Sequence, residues 1–186
     1  WRLVAEPAAV PGGEPDAAAV RAALAAAGFA ELGVACARLE ELAGRRATVV
    51  TQDIGRQRLD ALVPRLLERV AGLDGPDAAL ERTLRLVDAV LRRTAYLVLL
   101  LENPGALDML VRLTAASERV AAALTRHPIL LDELLDARAL LTVPSRASLG
   151  AELAAQLADL PAGDLEAQME QLRYFKVATE LRVAAC

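Results

Sequence analysis

The feature that most constrains the fold of this chain is a run of apolar residues at three-and-four spacing between Asp53 and Gly72. The apolar residues of this run are Leu59, Leu62, Val63, Leu66, Leu67 and Val70. They share one face of a 3.6-residue helix, and the charged residues fall mostly on the other face. The run therefore predicts an amphipathic helix that buries one face, and Pro64 within it is expected to kink the helix.

The remainder of the chain favours the same class of structure. Hydrophobic residues make up 55% of the 186 residues but aromatic residues only 3%, so the apolar content is almost entirely Leu, Ala and Val. Leu and Ala form helices readily, whereas strands favour β-branched and aromatic residues. We therefore expect an all-α protein, a compact array of about eight or nine short helices. Residues 47–51 are the one weak candidate for a strand.

Proline and glycine predict how the chain is divided. Residues 1–15 contain three prolines and two glycines without periodicity, which is typical of a linker or a disordered lead-in. We expect residues 16–186 to form one helical domain. A division of that domain into two packing units, 16–72 and 76–186, is also compatible with the glycines at its boundary.

Small polar residues, glycine and proline also predict individual helix ends. The expected stops are Gly28, Gly44 and Gly72. The expected starts are Pro76, Asn103 with Pro104, Ser117 and Asp164. In the last predicted helix, one face is expected to hold Leu165, Met169, Leu172, Phe175, Ala178 and Leu181.

Charge, apolar runs and targeting signals predict the partners and the location of the protein. The formal net charge of −4 does not fit a protein with a polybasic face, so no nucleic-acid partner is expected. The longest apolar run, residues 95–101, is shorter than the roughly 20 residues of a membrane span, so we expect a buried core helix. Cys36 and Cys186 are far apart and outside any CxxC spacing, so we expect two buried, reduced thiols, with a disulfide as the alternative. No leader sequence is seen, so the protein is expected to be cytoplasmic. Because the first residue is Trp1 and not Met, we expect the chain to be a piece of a longer protein.

Few side chains have the pattern of a catalytic or ligand-binding site. His127 is the only histidine, and because it precedes Pro128 it is more simply a turn or capping residue than a catalytic base. Three clustered His or Cys ligands for zinc cannot be assembled, and no glycine-rich loop carries the residues of a P-loop. The acidic group Asp132, Glu133 and Asp136 is expected to be a solvated face, with a cation or partner site as the alternative. We expect no catalytic, metal or cofactor-binding residue in this chain.

Five basic residues are the candidates for contact with a neighbouring domain. They are Arg92, Arg93, Arg173, Lys176 and Arg182. The functional interpretation is a contact with an adjoining domain, or with a phosphate that this domain holds. The alternative is an ordinary solvent-facing salt-bridge role.

Four separated blocks resemble a known family. The blocks are Gly55–Leu67, Arg93–Leu107, His127–Asp136 and Leu165–Lys176, the last running into residues 181–185. In order and spacing they resemble the central region of the bifunctional glutamine synthetase adenylyltransferase/adenylyl-removing enzymes. The resemblance covers roughly residues 50 to 186.

The resemblance implies a place in a larger enzyme. Members of this family resemble two nucleotidyltransferase halves in tandem, one removing AMP from a tyrosine of glutamine synthetase and the other attaching it from ATP. ATP and magnesium are implied for the parent enzyme. The implied partners are the adjoining nucleotidyltransferase domains, glutamine synthetase and the PII signalling protein. The family's catalytic signature, Ser-Asp-Leu-Asp after a glycine-rich turn, does not occur here, so no catalytic residue carries over.

The resemblance thus implies a non-catalytic helical segment that spaces and couples the two catalytic halves in nitrogen regulation. Coupling requires an element with two discrete arrangements. The candidates for such an element are the kink at Pro64 and the short helices around Asn103 and His127. The alternative function is a free-standing helical module that binds a partner helix in an apolar groove.

Overall fold

Helices form all of the regular structure in the part of the chain that the structure describes. The computed structural model describes residues 17–49, 53–135, 142–161 and 163–185, where ten helices and no strand occur. The α-helices are α1 (Ala17–Ala26), α2 (Leu32–Val49), α3 (Asp53–Ala71), α4 (Pro76–Val90), α5 (Thr94–Glu102), α6 (Pro104–Ala116), α7 (Glu118–Arg126), α8 (Arg146–Ala158) and α9 (Leu165–Ala185). A 3₁₀ helix, Pro128–Leu135, follows α7. The all-α prediction is confirmed, whereas the predicted lead-in over residues 1–15, Asp136 and Cys186 lie outside the described residues.

A single cluster of buried apolar side chains runs through the helices. It takes members from α1 to α7, from the 3₁₀ helix and from the C-terminal end of α9, but none from α8. Every apolar residue that predicted the buried face of α3 is at most 3% exposed. Helix α3 continues through Pro64 to Ala71, because burying this face outweighs the one backbone hydrogen bond that proline removes.

Polar contacts join the helices on both sides of the connection at residues 72–75. The carboxylate of Asp77, at the start of α4, accepts hydrogen bonds from the backbone amides of Ala30 (3.1 Å) and Glu31 (2.9 Å) before α2. Further along, Arg69 of α3 pairs with Asp108 of α6. The division into two packing units stays a prediction, and the apolar cluster includes residues of both parts.

The predicted end of α2 at Gly44 was wrong, and the weak strand candidate of residues 47–51 is helical as far as Val49, while residues 50 and 51 lie outside the described residues. Helix α2 runs through Gly44 to Val49, so residues 47–49 are helical. A glycine inside a helix costs only about 1 kcal/mol. Contacts beyond it offset this cost, since Arg45 pairs with Asp88 of α4 (2.6 Å) and Arg46 pairs with Asp60 of α3. These partners are distant in sequence, so local punctuation could not reveal them.

The predicted cap at Asn103 works in the opposite direction. Helix α6 begins at Pro104 as predicted, but the side-chain amide of Asn103 donates to the carbonyl of Leu99 (2.8 Å) and so closes α5. Ser117 does cap α7, because its hydroxyl accepts from the amide of Val120 (3.3 Å). Helix α4 ends before the apolar run of residues 95–101, because a turn at residues 91–93 separates α4 from α5.

Among the described residues, no single helix is long and apolar enough to cross a membrane. Only α5 and α6 taken together reach that length and composition, and they are bent by 104° at the break between them.

Candidate interaction surface

The C-terminal helix α9 has one end on the core and a large part of its surface open. Ala178 and Leu181 are 1% and 2% exposed and belong to the apolar cluster. By contrast, Leu165, Met169 and Leu172 are 72%, 50% and 39% exposed. These three residues lie within two turns of one another, and we call them the α9 stripe.

The prediction that α9 has a single apolar face was therefore wrong. From Met169 to Leu181 the predicted residues follow one another in steps of three. Each such step falls about 60° short of a full turn, so four steps move the line about 240° around the helix. The N-terminal part of the line therefore points outward, while its C-terminal part packs on the core.

Exposed apolar side chains are concentrated in this part of the molecule. Of the nine large apolar side chains exposed in the described ranges, seven occur from residue 129 onward: Ile129, Leu135, Val143, Leu165, Met169, Leu172 and Val183. Where such residues lie together, as in the α9 stripe, exposed apolar surface is typical of regions that contact another protein segment.

A polar network fixes α9 to its neighbours. The guanidinium of Arg182, only 12% exposed, donates to both carboxylate oxygens of Glu152 in α8 (2.9 and 3.0 Å). Its Nε lies 4.0 Å from Glu133 of the 3₁₀ helix, and Glu133 also accepts from the Tyr174 hydroxyl (2.7 Å). Gln171 adds a third connection, donating to Gln156 of α8 (2.8 Å). The network sets the position of α9 relative to two other helices.

The network also changes proton affinities. The hydrogen bond to Glu152 raises the pKa of Arg182, which therefore stays charged. Burial raises the pKa of Tyr174, and its hydrogen bond to Glu133 raises that pKa further. Because the phenol stays neutral to a higher pH than an exposed tyrosine, Tyr174 remains a donor to Glu133 throughout the neutral range.

The stability that Tyr174 contributes is expected to disappear at alkaline pH. Because its folded-state pKa lies above its unfolded-state pKa, this contribution is complete below about pH 10 and is lost as the pH rises further. Urea unfolding of the wild-type chain and of Tyr174→Phe between about pH 8 and about pH 11 should show the wild-type advantage shrinking. A difference that stays constant over this range would contradict the role of the phenol proton.

Two grooves follow one another beside α9. The first, of about 520 Å³, is lined by His127, Ile129, Leu130, Ala167, Glu170, Gln171, Arg173, Tyr174 and Val177. The second, of about 460 Å³, is lined by Arg119, Val120, Ala123, Thr179, Glu180, Leu181, Val183 and Ala184. We call the pair the α9 groove. One wall is α9 in both cases, and the other is formed by α7 and the start of the 3₁₀ helix.

The five predicted basic residues are not brought together. Arg92 and Arg93 are exposed at the turn between α4 and α5. Arg173 and Lys176 are 69% and 74% exposed on α9, where each contacts a glutamate of the same helix, Glu170 at 3.2 Å and Glu180 at 3.8 Å. Arg182 instead belongs to the internal network. A contact of the exposed residues with another domain stays a prediction.

Neither Glu133 nor His127 was predicted to be catalytic, and the structure gives Glu133 a contact that the sequence did not predict. Glu133, expected on a solvated face, is partly buried and accepts a hydrogen bond from the hydroxyl of Tyr174, which lies 41 positions further along the chain. His127 lies at the end of α7, where its amide donates to Ala123 (2.8 Å), in agreement with the prediction of a turn residue. No group of three His, Cys, Asp or Glu residues is placed to hold a metal within the ranges described.

Comparison with known proteins gives consistent matches. Residues 107–186 match the family model described as glutamate-ammonia ligase adenylyltransferase. The chain is 53% identical over 162 residues to the bifunctional glutamine synthetase adenylyltransferase/adenylyl-removing enzyme of Pseudomonas aeruginosa, covering 87% of the chain and 16% of that protein. The enzyme of the same description from Thioalkalivibrio sulfidiphilus is 43% identical over 173 residues, covering 93% and 18%. The chain spans about a sixth of the length of these relatives.

Proposed function

The chain belongs to the glutamine synthetase adenylyltransferase family, as one segment of a much longer enzyme, and we propose that it is the helical part that spaces and couples the two catalytic halves. The observation that carries this proposal is the arrangement of α9. The helix is held by a partly buried polar network on one side and presents an open apolar stripe on the other. Such a helix can pack against a further domain and transmit its position to the rest of the array.

The segment contributes no catalytic residue of its own in this proposal. Nucleotidyl transfer needs carboxylates that hold magnesium and a cradle for phosphate. The sequence lacks the Ser-Asp-Leu-Asp signature that the resemblance implies for the catalytic halves. ATP and magnesium therefore act in other parts of the parent enzyme, which we propose is cytoplasmic.

Coupling between the halves acts through the contacts of α9. A shift of a domain packed on the α9 stripe would displace Arg182 and Tyr174, and with them α8 and the 3₁₀ helix. The elements that absorb such a shift are the helix junctions at Asn103 and His127 and the helix around Pro64. In the parent enzyme the signals are glutamine and the PII protein, and the target is glutamine synthetase.

The proposal is tested by making the α9 stripe charged in the parent enzyme. We expect Leu165→Glu combined with Leu172→Glu to retain both adenylylation and deadenylylation of glutamine synthetase. The dependence of their ratio on glutamine should change by about fivefold or more, because typical coupling free energies are about 1–3 kcal/mol. Rates of both reactions with and without glutamine provide the measurement.

The matched control is Val34→Glu combined with Ile54→Glu, which alters two apolar residues of α2 and α3 that are exposed by 49% and 59%. This control should leave the glutamine response unchanged. An unchanged response in the stripe variant, or an equal loss of both reactions in control and stripe variants, would contradict the proposal.

A second function is favoured by the α9 groove, which has the form expected of a free-standing module that binds a partner helix. The distinguishing measurement is calorimetric titration of this chain with an amphipathic helical peptide. Saturable 1:1 binding, together with a glutamine response that stripe variants do not alter, would favour the binding module over the coupling segment.

A further inference from the structure

The two parts of the α9 groove lie on one side of α9. The residues Glu170, Arg173, Val177, Glu180 and Ala184 line them and recur at spacings of three and four. Residues at this spacing share one face of a helix. On the opposite wall the order is reversed, because His127 and Ile129 line the first groove and Val120 and Ala123 of α7 line the second. The two parts therefore form one furrow between two walls.

The dimensions of this furrow suit a helix. Its lining extends along α9 from Ala167 to Ala184, which corresponds to about 26 Å and matches a partner helix of about 17 residues. Alanines 123, 167 and 184 are part of the lining, and small side chains allow two helix axes to approach to about 8–10 Å.

An apolar furrow between helices is also better filled by a helix than by an extended segment. The backbone groups of α7 and α9 are hydrogen-bonded within their own helices, so they cannot pair with a strand laid between them. A helix satisfies its own backbone hydrogen bonds and presents a row of apolar side chains. Of the larger apolar residues in the lining, Ile129, Val177 and Val183 would contact that row, because Ile129 and Val183 are 49% and 57% exposed and Val177 is only partly buried.

We propose that an amphipathic helix of the same polypeptide, from outside these 186 residues, docks in the α9 groove. This inference rests on the proposed function, because it assumes the longer enzyme. Relatives are about six times the length of this chain, so most of their sequence lies outside the matched segment. A segment of the same polypeptide whose linker lets it reach the groove binds intramolecularly, at an effective concentration of about millimolar when that linker is short and flexible.

The charges beside the groove agree with an occupant of low net charge. Arg119 and Arg173 line it together with Glu170 and Glu180, so neither sign dominates. A strongly basic or strongly acidic partner would meet like charges on either part of the groove. Apolar anchors at three-and-four spacing, with charges of both signs beside them, are the chemistry that the groove recognises.

The test is site-specific photo-crosslinking in the full-length parent enzyme. A photoreactive phenylalanine analogue is placed at Ala167 or Ala184 in the groove, and at Ala89, exposed on α4, as the control. We expect both groove positions to crosslink within one polypeptide to the same segment, with attachment sites about 17 residues apart, because the two positions lie at opposite ends of the groove. Gel mobility separates intramolecular from intermolecular products, and mass spectrometry locates the attached residues.

Other outcomes overturn the inference. Crosslinks between two copies would identify the groove as a self-association surface, and crosslinks to glutamine synthetase or PII would identify a foreign occupant. A yield no higher than that of Ala89 would mean that the groove is open to solvent. Circular dichroism of each variant establishes that it is folded.

The failure of this inference is distinguishable from the failure of the proposed function. If the groove crosslinks to a helix of the same polypeptide but stripe variants leave the glutamine response unchanged, the docking stands and coupling fails. If stripe variants alter the response while the groove shows no intramolecular crosslink, coupling stands and the docked helix is wrong.

Discussion

Replacing Leu66 with alanine is expected to lower the free energy of unfolding of this chain by about 3 kcal/mol, the largest single effect that we predict. Leu66 is fully buried on the apolar face of α3, which packs against α5 and α6. The substitution removes apolar surface from the core and leaves a cavity that neighbouring leucines fill only in part. Domains of this size are stable by only about 5–15 kcal/mol, so a large fraction of the stability should be lost.

Urea unfolding followed by circular dichroism measures this loss. The midpoint should fall while the dependence on urea stays the same, because the surface exposed on unfolding hardly changes. Ile54→Ala is the matched control, since Ile54 lies on the same helix and is 59% exposed. It should cost less than about 1 kcal/mol. Equal losses in the two variants would contradict the position of α3 in the core.

The second large effect is expected for Arg182→Met. This substitution keeps most of the aliphatic length but removes the charge that lies between Glu152 and Glu133. Two carboxylates would then remain near each other without their cation, and Glu133 is only 24% exposed. Because Glu152 is 36% exposed, water screens part of the penalty, and we expect a loss of about 2 kcal/mol rather than that of a fully buried pair.

Hydrogen exchange identifies where this loss occurs. Amides of α9 should exchange faster in Arg182→Met, whereas those of α3 should change only through global unfolding. Arg173→Met is the control, because Arg173 is 69% exposed and pairs only with Glu170 of its own helix. It should change stability by less than about 0.5 kcal/mol. Similar losses in both variants, or unchanged exchange in α9, would show that the network does not hold this helix.

Local patterns predicted most of the helices. The spacing of Leu59, Leu62 and Leu66 required a helix with one buried face, and the structure buries all three. Ser117 caps α7 as its residue type predicts, since a hydroxyl at this position meets only amides of the next turn. These features depend on residues within a few positions of one another, so the sequence contains all the information that they need. The order of four motif blocks likewise identified the family.

The reversed cap at Asn103 involves only Leu99, four positions away, but the other errors concern features that depend on distant residues. Helix α2 passes Gly44 because Arg46 reaches Asp60, and α9 is positioned because Arg182 meets Glu152 at a separation of 30 residues. The exposure of the α9 stripe also depends on contacts between residues that are distant in the sequence. A helix with apolar residues around its circumference can turn either side to the core, and the local sequence does not determine which.

The sequence by itself therefore determined that this chain is helical, where most of its helices begin and end, and to which family it belongs. Only the tertiary structure decided that Ala178 and Leu181 pack inward while the α9 stripe stays open. The physical reason is that hydrophobic burial is non-directional, so it favours covering apolar residues without selecting among them. The selection comes from directional contacts, here the hydrogen bonds of Tyr174 and Arg182, whose partners only the folded chain brings into reach.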